Sequence, residues 1–322
     1  MRRPLLALLS AAALFATAAC GGGSGSGSAA GGGTDKVTVG VIPIVDVAPI
    51  YLGKEQGFFA KRKIDLTLQT GSGGAASVPG VVSGQYQFAF GNVTSLLVAR
   101  DKKLPLEVLT NGVSSVGVQG KDFGAVVVRS DSPIKTAKDL AGKRVSVNNL
   151  KNIGDTTVRA SVRKAGGDPS KVQFVELPFP DMPAALAGKR IDAAWVVEPF
   201  LTQATSQGAR PVAWNFVDAA PNLTVATYFT SEKMIATEPD LVKRFTEAMN
   251  ESLAYAQSHP DAVRNILKTY TKIPADVIAR MTLPKFPSEV NRASIETLAT
   301  LAKQDGLVSS APDVDALLSD LK

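Results

Sequence analysis

Apolar residues come in short runs, continuous or alternating, parted by stretches where they recur every three or four positions, as in strands alternating with helices. Residues 37–42 form a compact apolar strand, Pro43 and Pro49 bound the turn after it, and a helix is expected over 50–60 with Leu52, Phe58 and Phe59 on its buried side. Ile64, Leu66 and Leu68 alternate as a second strand, which ends in the loop Thr70-Gly71-Ser72-Gly73-Gly74 before a helix at Ala75. Residues 86–90 give a third strand, and Asn92 stands where it caps the following helix. Strands over 106–109 and 125–128 then lead out of this part of the chain.

The same series returns further on. Residues 172–175 predict a buried strand that stops at Leu177, Pro178 and Pro180, and Met182, Ala185 and Leu186 follow at helical spacing. Asp181 is placed to cap that helix, and Gly188 and Lys189 end it. Residues 191–197 are nearly all apolar, as a strand covered on both faces must be, and they carry Trp195 and Glu198 to its carboxyl end before Pro199 opens another helix. Arg144-Val145-Ser146-Val147 echoes Lys36-Val37-Thr38-Val39, and Phe90 and Trp195 each close a third strand after an alanine. The repeated pattern predicts an α/β fold of two similar lobes whose strand ends line one cleft. A strand over 209–213 and a returning strand over 222–230 follow. The remainder is helical: Thr237 is placed to cap a helix carrying Leu241, Phe245, Met249 and Leu253, and further helices are expected over 288–303 and 313–321.

Composition adds exclusions. The 322 residues are 45% hydrophobic and 20% charged, with a dispersed formal net charge of +6 that does not point to nucleic acid. One cysteine, Cys20, and one histidine, His259, rule out an internal disulfide and argue against a zinc site; no metal and no cofactor are expected. His259 lies in a turn between helices, where it reads as a solvated residue. Arg2 and Arg3, the apolar run 5–15 and the small residues before Cys20 make a secretory signal, too short for a stable membrane span. The Arg2-Arg3 pair also admits a twin-arginine reading. Thr17-Ala18-Ala19-Cys20 resembles the lipobox of bacterial lipoproteins, although Thr17 replaces the usual aliphatic residue; the resemblance implies a lipid-modified Cys20 and a membrane anchor. Residues 21–33 are all Gly, Ser or Ala and read as a tether.

Strand-end placement selects candidate binding residues. Phe179, Asp181, Trp195 and Glu198 fall at one sheet edge, Asn148, Asn149 and Asn152 in the turn before a helix near Asp155, and Asn92 and Thr94 after the third strand of the first lobe. Each has a plain structural reading as well: Asp181 and Glu198 as helix caps, Trp195 as core, the asparagines as turn chemistry. The glycines at 73 and 74 allow close backbone approach, but no phosphate-loop spacing accompanies them.

Several strings occur in one order: Gly40-Val41-Ile42-Pro43, Ala48-Pro49-Ile50-Tyr51-Leu52-Gly53, Gly57-Phe58-Phe59, Gly73-Gly74-Ala75-Ala76, Phe88-Ala89-Phe90-Gly91-Asn92, Asp139-Leu140-Ala141-Gly142-Lys143-Arg144-Val145 and Glu198-Pro199-Phe200. Together they resemble the substrate-binding proteins of ABC importers for nitrate, sulfonates and taurine, a group that includes binders of thiamine-pyrimidine precursors. The resemblance implies a type II periplasmic-binding-protein fold that closes on a solute and docks on a permease served by an ATPase. It also implies pocket roles for Asp46, Ser72, Gly73, Gly74, Asn92, Trp195 and Glu198. Asn148, Asn149, Thr94, Phe179 and Asp181 come from strand-end placement, and Phe90 is added as a stacking ring. With Asp46, Asp181 and Glu198 all near the cleft, a plain anion is disfavoured. The expected ligand is an aminosulfonate, a sulfonate or a pyrimidine-like molecule.

The expected organisation is a signal peptide over 1–20 ending in lipidated Cys20, a linker over 21–34, lobe I from 35–129 and 223–322, and lobe II from 130–222. The expected protein is monomeric, on the outer face of the cell membrane, and not an enzyme. The alternatives are a pyrimidine-precursor biosynthetic enzyme of the same fold and a sensor lipoprotein without transport.

Overall fold

The computed structural model describes residues 33–310 and 312–318; the expected signal peptide and Cys20 lie outside them. The chain begins with β1 (Asp35–Val41), α1 (Ala48–Glu55), β2 (Ile64–Thr70), α2 (Gly74–Val82), β3 (Phe88–Asn92), α3 (Val93–Asp101) and β4 (Leu106–Ser114). It continues through β5 (Gly124–Arg129), β6 (Arg144–Val147), α4 (Ile153–Lys164), β7 (Gln173–Glu176), α5 (Met182–Ala187), β8 (Ala193–Val197), α6 (Phe200–Ser206), β9 (Ala209–Ala213) and α7 (Asn215–Ala219). After β10 (Thr224–Ser231) come α8 (Glu232–Thr237), α9 (Pro239–Ser258), α10 (Pro260–Tyr270), α11 (Ala275–Arg280), α12 (Arg292–Gln304) and α13 (Val314–Leu317).

The strands make two five-stranded sheets, ordered β2-β1-β3-β10-β4 and β7-β6-β8-β5-β9. In each sheet three strands run parallel, and the fourth in order runs antiparallel to both neighbours. That fourth strand is the one by which the chain arrives from the other sheet. The echo seen in sequence is therefore a repeat of topology, with two short crossings, β4 to β5 and β9 to β10. The crossings are bonded to one another, since Ser115 N donates to the Leu223 carbonyl at 2.9 Å. Asp122 holds the first crossing tightly, accepting from Ser115 Oγ at 2.5 Å and from the backbone N–H groups of Val116 and Phe123 at 2.9 Å.

Four expectations change. The strand expected at 125–128 pairs with β8 and β9, so by hydrogen bonding it belongs to the second sheet and the boundary at 129 falls after it. The strand at 172–175 is β7, an edge strand bonded only to β6, and Val175 is 37% exposed. The helix begun at Ala48 ends at Glu55; Gly57 follows at φ 74°, which turns the chain and carries Phe58 and Phe59 off the helix. Thr237 ends α8 and does not cap α9, whose N-cap is Glu238. His259 stands exposed between α9 and α10 with its ring stacked on Tyr255 at 4.0 Å.

Helix α9 shows how the spacing works. Leu241, Phe245, Met249 and Leu253 all fall on its buried face, and Phe245 stacks on Phe88 of β3 at 3.8 Å, tilted against Phe59 at 5.7 Å. Replacing Phe245 by Ala is expected to cost about 3–5 kcal/mol through lost burial and a residual cavity, read as a lower midpoint in denaturant unfolding. A loss below about 1 kcal/mol is incompatible with this packing.

Candidate functional site

Between the two sheets lies a cavity lined from the first by Ile42, Ile44, Asp46, Phe90, Asn92, Val225 and Ala226. The second sheet supplies Asn148, Ile153, Phe179, Trp195, Val197 and Phe216. The space open to the centre of a water-sized sphere is about 20 Å³, roughly what one water needs. A ring-sized solute fits only with these walls further apart. Among the described residues, no lysine, arginine or histidine stands in the lining.

Asp46 sits in the short 3-10 turn Val45–Val47 after β1, and it is 3% exposed. Its Oδ1 has no hydrogen-bond partner among the described residues. Burial pushes its pKa up to about 8, its own backbone N–H pulls downward, and the nearby Asp122 pushes upward again. At neutral pH the carboxyl is therefore mostly uncharged. Behind it, Tyr270 donates to the Ile44 carbonyl at 3.0 Å and stacks on Tyr51 at 4.0 Å.

Trp195 is the counterpart on the other wall. It is 2% exposed, and its indole N–H has no acceptor among the described residues. The ring tilts against Phe179 at 5.3 Å and meets Phe216 edge-on at 5.9 Å. Gly154, in the first turn of α4, makes this placement possible: a Cβ there would stand 2.6 Å from Trp195 Cε3. Phe90 lines the cavity with its ring edge-on to Tyr228 at 5.4 Å.

The asparagines divide their work. Asn92 caps α3, accepting from Ser95 N at 2.9 Å, and lines the cavity as well. Asn148 reaches across, its Nδ2 donating to the Ser72 carbonyl at 3.1 Å, while its Oδ1 accepts from Asn152 at 3.3 Å. The side-chain oxygen of Asn149 has no partner among the described residues and lies against Gly73, where a Cβ would come within 1.8 Å of it. A Cβ on Gly74 would stand 2.6 Å from the Gly91 Cα. Both glycines are needed for close approach, and Ser72 contributes its carbonyl while its side chain is exposed.

Seven candidates are absent from the lining: Ser72, Gly73, Gly74 and Asn149, which pack beside it as just described, and Glu198, Asp181 and Thr94. Glu198 is 1% exposed but absent from the cavity lining. Its Oε1 accepts from Thr202 Oγ1 at 2.7 Å and Thr282 N at 3.1 Å, and its Oε2 accepts from Thr202 N at 3.0 Å. With its carbonyl accepting from Val45 N at 3.2 Å, it ties the start of α6 to the Asp46 turn and to the segment after α11. It precedes Pro199, the N-cap of α6, and its carboxylate accepts from the first-turn N–H of Thr202. Burial raises its pKa, and the three donors lower it. Asp181 holds the expected N-cap position of α5 but is exposed and makes no side-chain cap bond, and it is absent from the cavity lining. Thr94 is fully buried outside the lining. The crowding of three acids that argued against an anion is thus reduced to Asp46.

Sequence reading missed the aliphatic walls, Ile42, Ile44, Ile153, Val197 and Val225, together with Phe216. As strand-end or helix-start apolar residues they look like core. Only the pairing of Ile42 and Ile44 around Pro43, just past β1, marks them as rim positions. Among the described residues no group of His, Cys, Asp or Glu could hold a metal, and no helix is long and apolar enough to cross a membrane.

A family model described as NMT1/THI5 like matches residues 44–263. The chain is 25% identical over 232 residues to the riboflavin-binding protein RibY of Chloroflexus aurantiacus, covering 70% of this chain and 63% of that protein. It is 21% identical over 225 residues to a formylaminopyrimidine-binding protein of Halalkalibacterium halodurans, covering 68% and 65%. The matched segment thus spans a little under two thirds of each of these relatives. A 2'-hydroxybiphenyl-2-sulfinate desulfinase of Rhodococcus erythropolis is 23% identical over 284 residues, covering 72% and 75%. Among solved structures, the alkanesulfonate-binding protein SsuA of Xanthomonas axonopodis pv. citri superposes with a TM-score of 0.75 at 16% identity, covering 89% of this chain and 98% of that one. At that identity the likeness establishes the fold, the expected two-lobed periplasmic-binding-protein architecture.

The bonding of Glu198 generates a test. Glu198→Ala leaves the Thr282 and Thr202 N–H groups without their acceptor and is expected to destabilise by about 1–3 kcal/mol in chemical unfolding. An unchanged unfolding midpoint rules out the tie described.

Proposed function

Because the chain belongs to the NMT1/THI5 like family, we propose that it is an extracytoplasmic solute-binding protein, capturing a small planar heteroaromatic molecule of pyrimidine-like chemistry by closure of its two lobes. The observation that carries this reading is the cavity itself. Aromatic and aliphatic walls enclose two polar atoms without partners, Asp46 Oδ1 from one lobe and Trp195 Nε1–H from the other. Such a site suits a flat ring with polar edges, held by stacking and by one hydrogen bond from each side. A sulfonate or nitrate would enter a lining without any cation, which weighs against the sulfonate half of the expectation. The names of the riboflavin- and formylaminopyrimidine-binding relatives point the same way.

In this reading closure is the signal, since a solute bridging both walls favours the closed form that an ABC permease and its ATPase recognise. Cys20 carries the lipid anchor, residues 21–34 form the tether, and the protein acts as a monomer. It performs no chemistry on its ligand. The sequence holds no second cysteine and no histidine beyond His259, which is exposed and far along the chain from the lining residues. Because a desulfinase stands among the relatives, sulfite release from 2'-hydroxybiphenyl-2-sulfinate is the turnover to assay, and none is expected.

Calorimetry is expected to show saturable binding of riboflavin or an aminopyrimidine, weakened about tenfold or more by Trp195→Ala and unchanged by Asp181→Asn. Tight binding of taurine or nitrate with none of the heteroaromatics overturns the ligand class. Cys20→Ala is expected to move the protein from the membrane pellet to the soluble fraction of its host, and retention in the pellet removes the anchor.

A further inference from the structure

We infer that Asp46 selects the solute by charge: kept uncharged within the cleft, it hydrogen-bonds an uncharged ring, offers an anion no counter-charge, and loosens its hold once it ionises. This deepens the heteroaromatic reading above and rests on it.

The surroundings of Asp46 carry the argument. The titratable groups that act on it or share its setting are Asp122 in the first crossing, Tyr51 on α1, Tyr228 on β10, Tyr270 on α10 and Glu198, whose carbonyl accepts from Val45 N in the same turn, all of them acids. Burial drives both Tyr228 and Tyr270 well above the usual phenol range, so they remain neutral. Lys285, the cation that lowers Asp122, is exposed, and among the described residues no lysine or arginine lines the cavity beside Asp46. An ionised Asp46 would therefore stand buried with no cation and with one oxygen unbonded, an arrangement that costs several times more than a neutral carboxyl in the same place. Glu198 shows the contrast: equally buried, it has three donors on its two oxygens. The value of about 8 for Asp46 agrees with the geometry.

Protonation changes what the group can recognise. A carboxylate only accepts, whereas a carboxylic acid also donates one hydrogen bond. The free oxygen of Asp46 can thus serve a ring nitrogen or a carbonyl, while Trp195 Nε1–H across the cavity can only donate. Together they favour a ring carrying acceptors on opposite edges, and they disfavour organic cations, which need the carboxylate.

The test is the pH dependence of binding and of unfolding for the wild type, Asp46→Asn and Asp46→Ala, with riboflavin and 4-amino-2-methylpyrimidine as probes and taurine as the anion. Wild-type affinity is expected to fall about tenfold between about pH 7 and about pH 9 as Asp46 ionises. Asp46→Asn, which keeps a neutral hydrogen-bonding group, is expected to show no such slope, and Asp46→Ala to bind about tenfold more weakly than wild type at neutral pH. A flat wild-type profile, or Asp46→Asn falling as far as Asp46→Ala, overturns the proposal.

Unfolding supplies a readout that needs no ligand. The folded-state pKa of Asp46 lies above its unfolded value of 3.8, so the stability linked to it is full below that value, falls progressively as pH rises towards about 8 and is lost above it. The wild-type melting midpoint is therefore expected to fall relative to Asp46→Asn over that range, and parallel midpoints overturn the proposal. If no probe binds and the midpoints still diverge, the solute class fails while the charge state of Asp46 stands.

Discussion

Each sheet of this protein is completed by a strand that the other half of the chain delivers. Without β10 the first sheet loses the partner of β3 and β4, and without β5 the second loses the partner of β8 and β9. Neither lobe can finish its hydrogen-bonding alone; the two crossings that deliver these strands are joined by the Ser115–Leu223 bond, and the first of them is clamped by Asp122. Freedom of movement is thereby confined to a short double connection, and the strand ends on both sides are directed at the same space. The cavity follows from that arrangement.

Within it, burial alone does not decide what a carboxyl does. Asp46 and Glu198 are both nearly inaccessible, and both have their pKa raised by burial. Glu198 spends both oxygens on Thr202 and Thr282 and becomes a tie between α6, the Asp46 turn and the C-terminal helices. Asp46 keeps an oxygen unbonded at the cavity wall, which makes it the one suited to a solute. The relevant quantity is how many donors each carboxyl already has.

Most of the strands and helices could be read from periodicity, because alternation and helical spacing are local properties. Sheet membership was less accessible. β5 looks like the end of the first lobe in sequence, and only its pairing with β8 assigns it to the second. Likewise β7 carries Phe174 and Val175 in an apolar pattern but has no neighbour on its outer side. Asp46, Phe90, Asn92, Asn148, Phe179 and Trp195, which strand ends and resemblance together single out, line the cavity. Glu198 lies outside the lining, held by Thr202 four residues away and by Thr282, 84 positions distant and so without any local signal in sequence. The aliphatic walls stayed hidden because an isoleucine at a rim and one in a core have the same sequence signature.

Gly154 has a consequence beyond fitting a turn. A Cβ there would stand 2.6 Å from Trp195 Cε3 and 2.8 Å from Val147 Cγ1. Any side chain there would displace the indole, which forms part of the cavity wall. The position of that wall is thus set by a missing methyl group, at a residue outside the lining. Relatives that accept larger or smaller rings could differ at such backing positions while keeping every contacting residue the same.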